Sequence, residues 1–395
     1  MPKLGKVVDY YFSQRCLVRA HSIESIPLDS AARRDLIIKG KTIALLHDVG
    51  HAPFGHSLDK FLGFLNPAQP LTNPDKHYSK QYLEKYLAGS LPKKIDARDL
   101  GTILGPDTTN LTEWDKLIAD LLDSSLDVDR MDFLVRDAHM TGLSIGDMGV
   151  GVEAIIEGMC PFREGDQIFL TFEESCVPYI DDFLLAREKM YAACYEHPSK
   201  LAAERIFTRL VESLVREHQL AIDSVVLLTD EQILALLGLA AISSEANGKL
   251  LDALLQNIEF KCVLEVDLKT ENAQIEQWTK NRDSTRMAHW AYIDAPSEWE
   301  RNITRAAGLE DRSWQVLVTV PDKKTSVPNE METQILKRDG AGHRIQPLFE
   351  ASPNLLARLK EENIPRSKIR VFADSRLSSG EIGEVKRAAE DHLCT

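Results

Sequence analysis

The stretch LLHDVGHAPFGH, residues 45–56, places three histidines and one aspartate (His47, Asp48, His51, His56) within ten positions. Charged and imidazole side chains are seldom buried without partners. Imidazole combined with carboxylate suits Mn, Fe, Co, Ni or Zn, and a carboxylate-rich set also admits Mg. Neighbouring residues of a helix point about 100° apart. His47 and Asp48 can therefore share one ion at a helix end or between two helices. The preceding run from Ala31 to Leu46 carries apolar residues at helical spacing (Leu36, Ile37, Ile43, Leu46), and Gly50 and Pro53 lie just beyond it. This predicts a helix that stops at the His-Asp pair.

A second concentration of charge follows in LDVDRMDFLVRD, residues 126–137. Asp129 and Asp132 are i,i+3 neighbours on a helix, as are Asp127 and Arg130. Asp129, Asp132 and Asp137 cannot all occupy one face, so one of them is expected to complete a metal site begun by His47 and Asp48. Arg130 also reads as an ordinary partner of Asp127, and Asp132 as a partner of Arg136.

These strings resemble the HD superfamily, whose signature runs His, His-Asp, Asp. The longer matches, HDVGHAPFGH, DVDRMDFLVRDAHMTG and REKMYAACYEH (residues 187–197), are similar to the branch that holds dGTP triphosphohydrolases and the SAM-and-HD-domain dNTPase. The resemblance covers roughly residues 40–200, with a further likeness in IRVFADSRL. It implies a divalent metal held by His21, His47, Asp48 and Asp129. It also implies proton transfer or site chemistry at His51, Asp59, His56 and His77. Substrate contacts are implied for Arg130, Asp137, Arg187, Tyr195 and His197. Two departures stand out. His21 sits in VRAHSIES without the Leu-Gly that usually follows, and Phe133 replaces the usual tyrosine.

Hydrophobic residues make up 44% and charged residues 27% of the 395 positions, enough apolar content to bury a sizeable core. The net charge of −14 disfavours a broad grip on a phosphate backbone. It leaves room for a small anion at a local cation or metal. No stretch reaches the roughly 18 apolar residues of a membrane helix, and no secretory signal is visible in MPKLGKVVDYYF. The six cysteines (Cys16, Cys160, Cys176, Cys194, Cys262, Cys394) form no CxxC pair. They read as reduced thiols of a cytoplasmic protein.

The expected architecture is a mainly α HD-domain helical core with a β-hairpin insertion, followed by a smaller α+β C-terminal domain. The boundary is set at 1–245 and 246–395. Helices are expected at 77–87, at 111–138 with a break near Asp123-Ser124-Ser125, and at 180–219. The hairpin turns at Arg163-Glu164-Gly165-Asp166. Strands are expected at 260–266, 314–320 and 369–373, with helices at 354–362 and 380–392. The function expected is a metal-dependent dNTP triphosphohydrolase that releases deoxynucleoside and inorganic triphosphate. The alternatives are an HD nuclease or phosphodiesterase on single-stranded nucleic acid and a non-catalytic nucleotide sensor. A nucleotide is the expected partner, without a membrane and with nucleic acid disfavoured. A homo-oligomer is expected from the resemblance.

Overall fold

Apolar periodicity makes this chain mainly helical, with two small sheets. The computed structural model describes residues 30–65, 73–91, 94–107, 109–143, 148–165, 167–217, 222–268, 270–281, 287, 290–321, 329–340, 342–362 and 368–394. His21 and Cys16 lie outside the described residues. The five described cysteines are free. No described helix is long and apolar enough to cross a membrane.

Contacts divide the chain into two compact units, each drawn from three separate segments. One comprises Met1–Gly50, Lys76–Ala193 and Thr325–Ile364; the other comprises His51–Asp75, Cys194–Lys324 and Pro365–Thr395. The described residues form seven strands, in chain order β1 (Met159–Glu164), β2 (Gln167–Glu173), β3 (Phe260–Asp267), β4 (Val316–Thr319), β5 (Gln334–Asp339), β6 (Gly342–Pro347) and β7 (Lys368–Asp374).

In the first unit, the region read as one interrupted helix is two helices, Glu113–Leu122 and Val128–Thr141, separated at residues 123–127. Thr112 caps the first by accepting from the Asp115 amide, and its buried face is Leu117, Ile118, Leu121 and Leu122. Asp127 caps the second, which buries Val128, Met131 and Leu134 and ends at Gly142 with φ +69°. That is the left-handed position glycine takes at low cost. The helix expected at 77–87 is α-helical over Pro74–Tyr82 and continues as a π-helical turn, Leu83–Leu87.

The expected hairpin is present. β1 and β2 pair antiparallel from Met159↔Phe172 to Glu164↔Gln167, across Gly165 at φ +60°. It belongs to a larger sheet of order β1-β2-β5-β6, because β2 also pairs parallel with β5 and β5 pairs antiparallel with β6. The β5–β6 hairpin lies outside the expected elements. Its strands QILKRD and GHRIQP are half polar and show weak alternation, so their pairing leaves little trace in the pattern. Gly158, just before β1, allows the closest approach in this unit. A Cβ there would meet Cys176 Sγ at 1.8 Å.

In the second unit the expected C-terminal strands form an antiparallel sheet of order β3-β7-β4. Central β7 is fully covered at Ile369, Val371, Phe372 and Ala373, and Arg370 between them is buried against Glu265. β4 begins at Val316 because Glu310–Gln315 forms a 3-10 turn. The long helix Pro198–Arg216 packs Ala202, Ile206, Leu210, Val211 and Leu214 into a cluster shared with Leu237, Leu250, Leu317 and Phe372.

A buried ion pair crosses the same unit. Glu300 accepts from Arg205 Nε (2.7 Å), Arg205 Nη2 (3.0 Å) and the Val318 amide (2.9 Å), with Arg209 Nη1 at 3.5 Å. Burial alone would raise the Glu300 carboxyl, but the two arginines outweigh it and hold the group below the usual range.

Replacing Gly158 with alanine drives a methyl group into Cys176. The expected loss is about 1–3 kcal/mol of unfolding free energy, measured by urea denaturation. Adding Cys176→Ala in the same chain should recover most of it. Unchanged stability in Gly158→Ala would show that the close approach is not constraining.

Candidate functional site

The helix Ser30–Leu46 ends where the sequence predicts, immediately before His47. His47 Nδ1 lies 2.9 Å from the Ala44 carbonyl, so Nδ1 carries a hydrogen and donates it. This turns Nε2 toward two carboxylates, Asp48 Oδ2 at 3.1 Å and Asp129 Oδ1 at 3.2 Å. Asp129 arrives from 82 residues further on, in the first turn of the helix Val128–Thr141. Ser79, on the helix that carries His77, donates to the His47 carbonyl at 3.5 Å.

One nitrogen and two carboxylate oxygens within 4.8 Å of one another can hold a metal ion. The orienting bond from Nδ1 to a carbonyl is the usual support of a ligating histidine. The chemistry of the donor set therefore fits a divalent ion. Burial disfavours a charged His47 ring, but hydrogen bonds and charge from Asp129 and Asp48 outweigh it and push the ring up to about 10. The two carboxylates thus favour positive charge at this point, whether a proton on the ring or a metal ion.

A second group, described by itself, lies in the other unit. Asp59 is buried, accepts from the Ala52 amide through Oδ1 (2.8 Å), and is hydrogen-bonded through Oδ2 to His51 Nδ1. His56 stands with its ring edge toward His51 (centroids 4.7 Å apart) and its Nδ1 3.8 Å from Asp59, with 79% of its side chain exposed. His51, His56 and Asp59 meet the same proximity criterion for a metal. The close His51–Asp59 pairing makes them equally an oriented proton-transfer dyad.

The turn within this group, between His51 and His56, is strained. Phe54 has φ +61°, followed by Gly55 at +54°. A bulky side chain in that region costs about 1–3 kcal/mol. Two contacts hold it there: the Phe54 amide donates to Asp230 Oδ1 (2.9 Å), and its ring packs on Phe207 (centroids 4.8 Å apart).

The remaining expected residues have defined partners. His77 Nε2 accepts from the Gln81 amide nitrogen (2.6 Å), and its ring meets Tyr78 edge-on. Arg130 is tied to Asp127 and to the Ser124 carbonyl. Asp132 pairs with Arg136 (2.8 Å), as its spacing predicts, and Asp137 lies 3.5 Å from the same arginine. Arg187 is buried, with its guanidinium 5.5 Å from the Tyr191 ring centre. Tyr195 closes the π-helical turn Tyr191–Tyr195 and is half-buried. His197 is exposed and caps the helix Pro198–Arg216, its Nδ1 accepting from the Ser199 amide at 3.3 Å.

Asp230 is a site-supporting residue that the motif reading did not single out, and Asp127 was read as a partner of Arg130 but not as the cap of its helix. For Asp127 a signal was present, an aspartate just ahead of an apolar-periodic run. For Asp230 the partner is 176 residues distant.

Comparison with known proteins bears on this geometry. The model for the HD associated region matches residues 162–394. The chain belongs to that family. The matched stretch begins downstream of His47, Asp48 and Asp129. Among curated proteins, YwfO of Bacillus subtilis is 33% identical over 177 residues, 44% of this chain and 37% of YwfO. The protein MG461 of Mycoplasma genitalium is 29% identical over 205 residues, 48% of this chain and 44% of MG461. The matched stretch thus spans less than half the length of these relatives. Among solved structures, a phosphohydrolase from Bacteroides thetaiotaomicron shares the fold, with TM-score 0.61, 18% identity, and coverage of 95% of this chain and 87% of that one. A protein from Aquifex aeolicus does so with TM-score 0.58, 18% identity, and coverage of 97% and 86%. The fold is therefore shared with these two proteins over nearly the whole chain.

Metal uptake at pH 7–8 should displace the His47 proton. Calorimetry with Mn2+ in buffers of different ionisation enthalpy is expected to show net release of about one proton, with affinity rising as pH increases toward 10. His47→Ala should abolish both uptake and release. Tight uptake without proton release would contradict the charged state of His47.

Proposed function

We propose that this chain is a metal-dependent phosphohydrolase acting on a nucleoside triphosphate, with deoxynucleotides favoured, and that it releases the nucleoside and inorganic triphosphate. The observation that carries the metal-dependent part is the convergence of Asp48 and Asp129 on His47 Nε2. The nucleotide part is supported by the likeness of HDVGHAPFGH, DVDRMDFLVRDAHMTG and REKMYAACYEH to the dNTPase branch. The phosphohydrolase reading also agrees with the name of the Bacteroides structure that shares the fold.

His47, Asp48 and Asp129 hold the ion, with His21 as the expected further ligand. When bound, the ion supplies Lewis acidity toward a phosphoryl group. The protein's own groups do the rest. Asp59 fixes the tautomer and direction of His51, so that Nε2 of that ring is the one offered for proton transfer. His56 is exposed beside it and can serve a leaving or attacking oxygen. Arg130 and Arg187 offset polyphosphate charge, the main contribution a protein makes to phosphoryl transfer. The absence of a hydroxyl at Phe133 removes one polar contact from the sugar pocket that the resemblance implies.

Incubation with each dNTP and rNTP plus Mg2+ or Mn2+, with products resolved chromatographically, tests this reading. Deoxynucleoside together with inorganic triphosphate is the expected outcome. Stable dNTPs beside mononucleotides released from an oligonucleotide would overturn it. Asp48→Ala should lower turnover about a hundredfold or more together with metal content. His51→Ala should lower kcat by roughly 100- to 10,000-fold while metal content stays intact.

A further inference from the structure

The break at residues 123–127 is closed by one buried carboxylate that the proposed chemistry does not use. Asp127 is 2% exposed. Its Oδ1 accepts from the Arg130 backbone amide at 2.7 Å, capping the helix Val128–Thr141. Its Oδ2 accepts from the Ser124 amide at 3.2 Å and from Arg130 Nη1 at 2.7 Å. The same guanidinium nitrogen donates to the Ser124 carbonyl. The two oxygens therefore serve different clients. One fixes the backbone of the first helical turn, where Asp129 sits. The other fixes a side chain, Arg130.

We propose that Asp127 is the positioning residue of the metal centre: through Oδ1 it sets the helical turn that presents Asp129 to His47, and through Oδ2 it aims the Arg130 guanidinium for a polyphosphate. The second half rests on the proposed function; the first does not. An N-cap holds its helix start through an oxygen on the N2 or N3 amide, and asparagine and serine fill that role about as well as aspartate. Neither replaces the second oxygen. Asparagine would place an NH2 against two donors, the Ser124 amide and Arg130 Nη1, and a buried donor facing donors is costly. Serine would leave the second position empty. The two functions of Asp127 are thus separable by substitution, which a residue that only stabilises the fold would not allow.

Two titrations test this on the full chain, with thermal melts recorded for every variant. Co2+ affinity is read from visible absorption, and binding of inorganic triphosphate to the Mn2+-loaded protein is read by calorimetry. Asp127→Asn and Asp127→Ser should keep Co2+ affinity within about threefold of the parent, while triphosphate affinity falls about tenfold. Asp127→Ala should weaken Co2+ about tenfold or more as well. Equal loss of Co2+ affinity in the asparagine, serine and alanine variants would overturn the separation of roles. Unchanged binding of both probes in all three variants would overturn the proposal outright. If the parent binds Co2+ but no triphosphate, the Arg130 half and the nucleotide reading fail together. The Oδ1 half then stands or falls on Co2+ alone. Should Asp127→Ala not fold, the serine variant with Arg130→Gln supplies the comparison. The two changes together should weaken triphosphate no more than the larger single effect, because both act on one tether; additive loss would overturn it.

Discussion

A carboxylate taken out of water must be met by donors, and three such carboxylates organise this protein. Glu300 answers Arg205, Arg209 and the Val318 amide. Asp59 answers His51 and the Ala52 amide. Asp127 answers two backbone amides and Arg130. Desolvation of an ion costs several kcal/mol, and only good geometry repays it. Each pairing therefore fixes the segments that supply its donors. The candidate chemistry sits beside two of these fixed points. Asp59 orients the His51 ring, and Asp127 is the cap of the helix that carries Asp129.

Two titratable groups of the first unit, the Asp127 carboxyl and the His47 ring, are shifted upward for different reasons. Asp127 is pushed up to about 7 by burial, with Arg130 and its amide pulling the other way. His47 is pushed up to about 10 because two partly exposed aspartates face one ring. The concentration of negative charge that makes the cluster attractive to a metal ion is the same charge that retains a proton without one.

Much of this was legible in the chain. HDVGHAPFGH and DVDRMD announced a helix end, a turn and a distant aspartate, and His47, Asp48 and Asp129 do meet. Alternation located β3, and stretches rich in β-branched and apolar residues located β4 and β7. Asp132 and Arg136 paired as their spacing implied. What escaped reading shares one physical cause, sequence distance without pattern. β5 and β6 are half polar and join β2 across more than 150 residues. The compact units are assembled from discontinuous segments, which leave no compositional seam. The role of Arg130 lay open between substrate cation and partner of Asp127. Its helical spacing shows the partner, but not that the same guanidinium also reaches the Ser124 carbonyl.

Phe54 carries a consequence for the order of events in folding. Its left-handed backbone is tolerable only once the Asp230 carboxylate and the Phe207 ring are in place. Closing a loop of this length costs entropy that only long-range contacts repay. The turn between His51 and Asp59 is therefore among the late pieces to lock, after the helices that bear residues 207 and 230 have docked. Local opening of those helices would release the strain and slacken the turn together. The His51–Asp59 contact is in this sense a reporter of completed assembly, set only once those distant partners are in place.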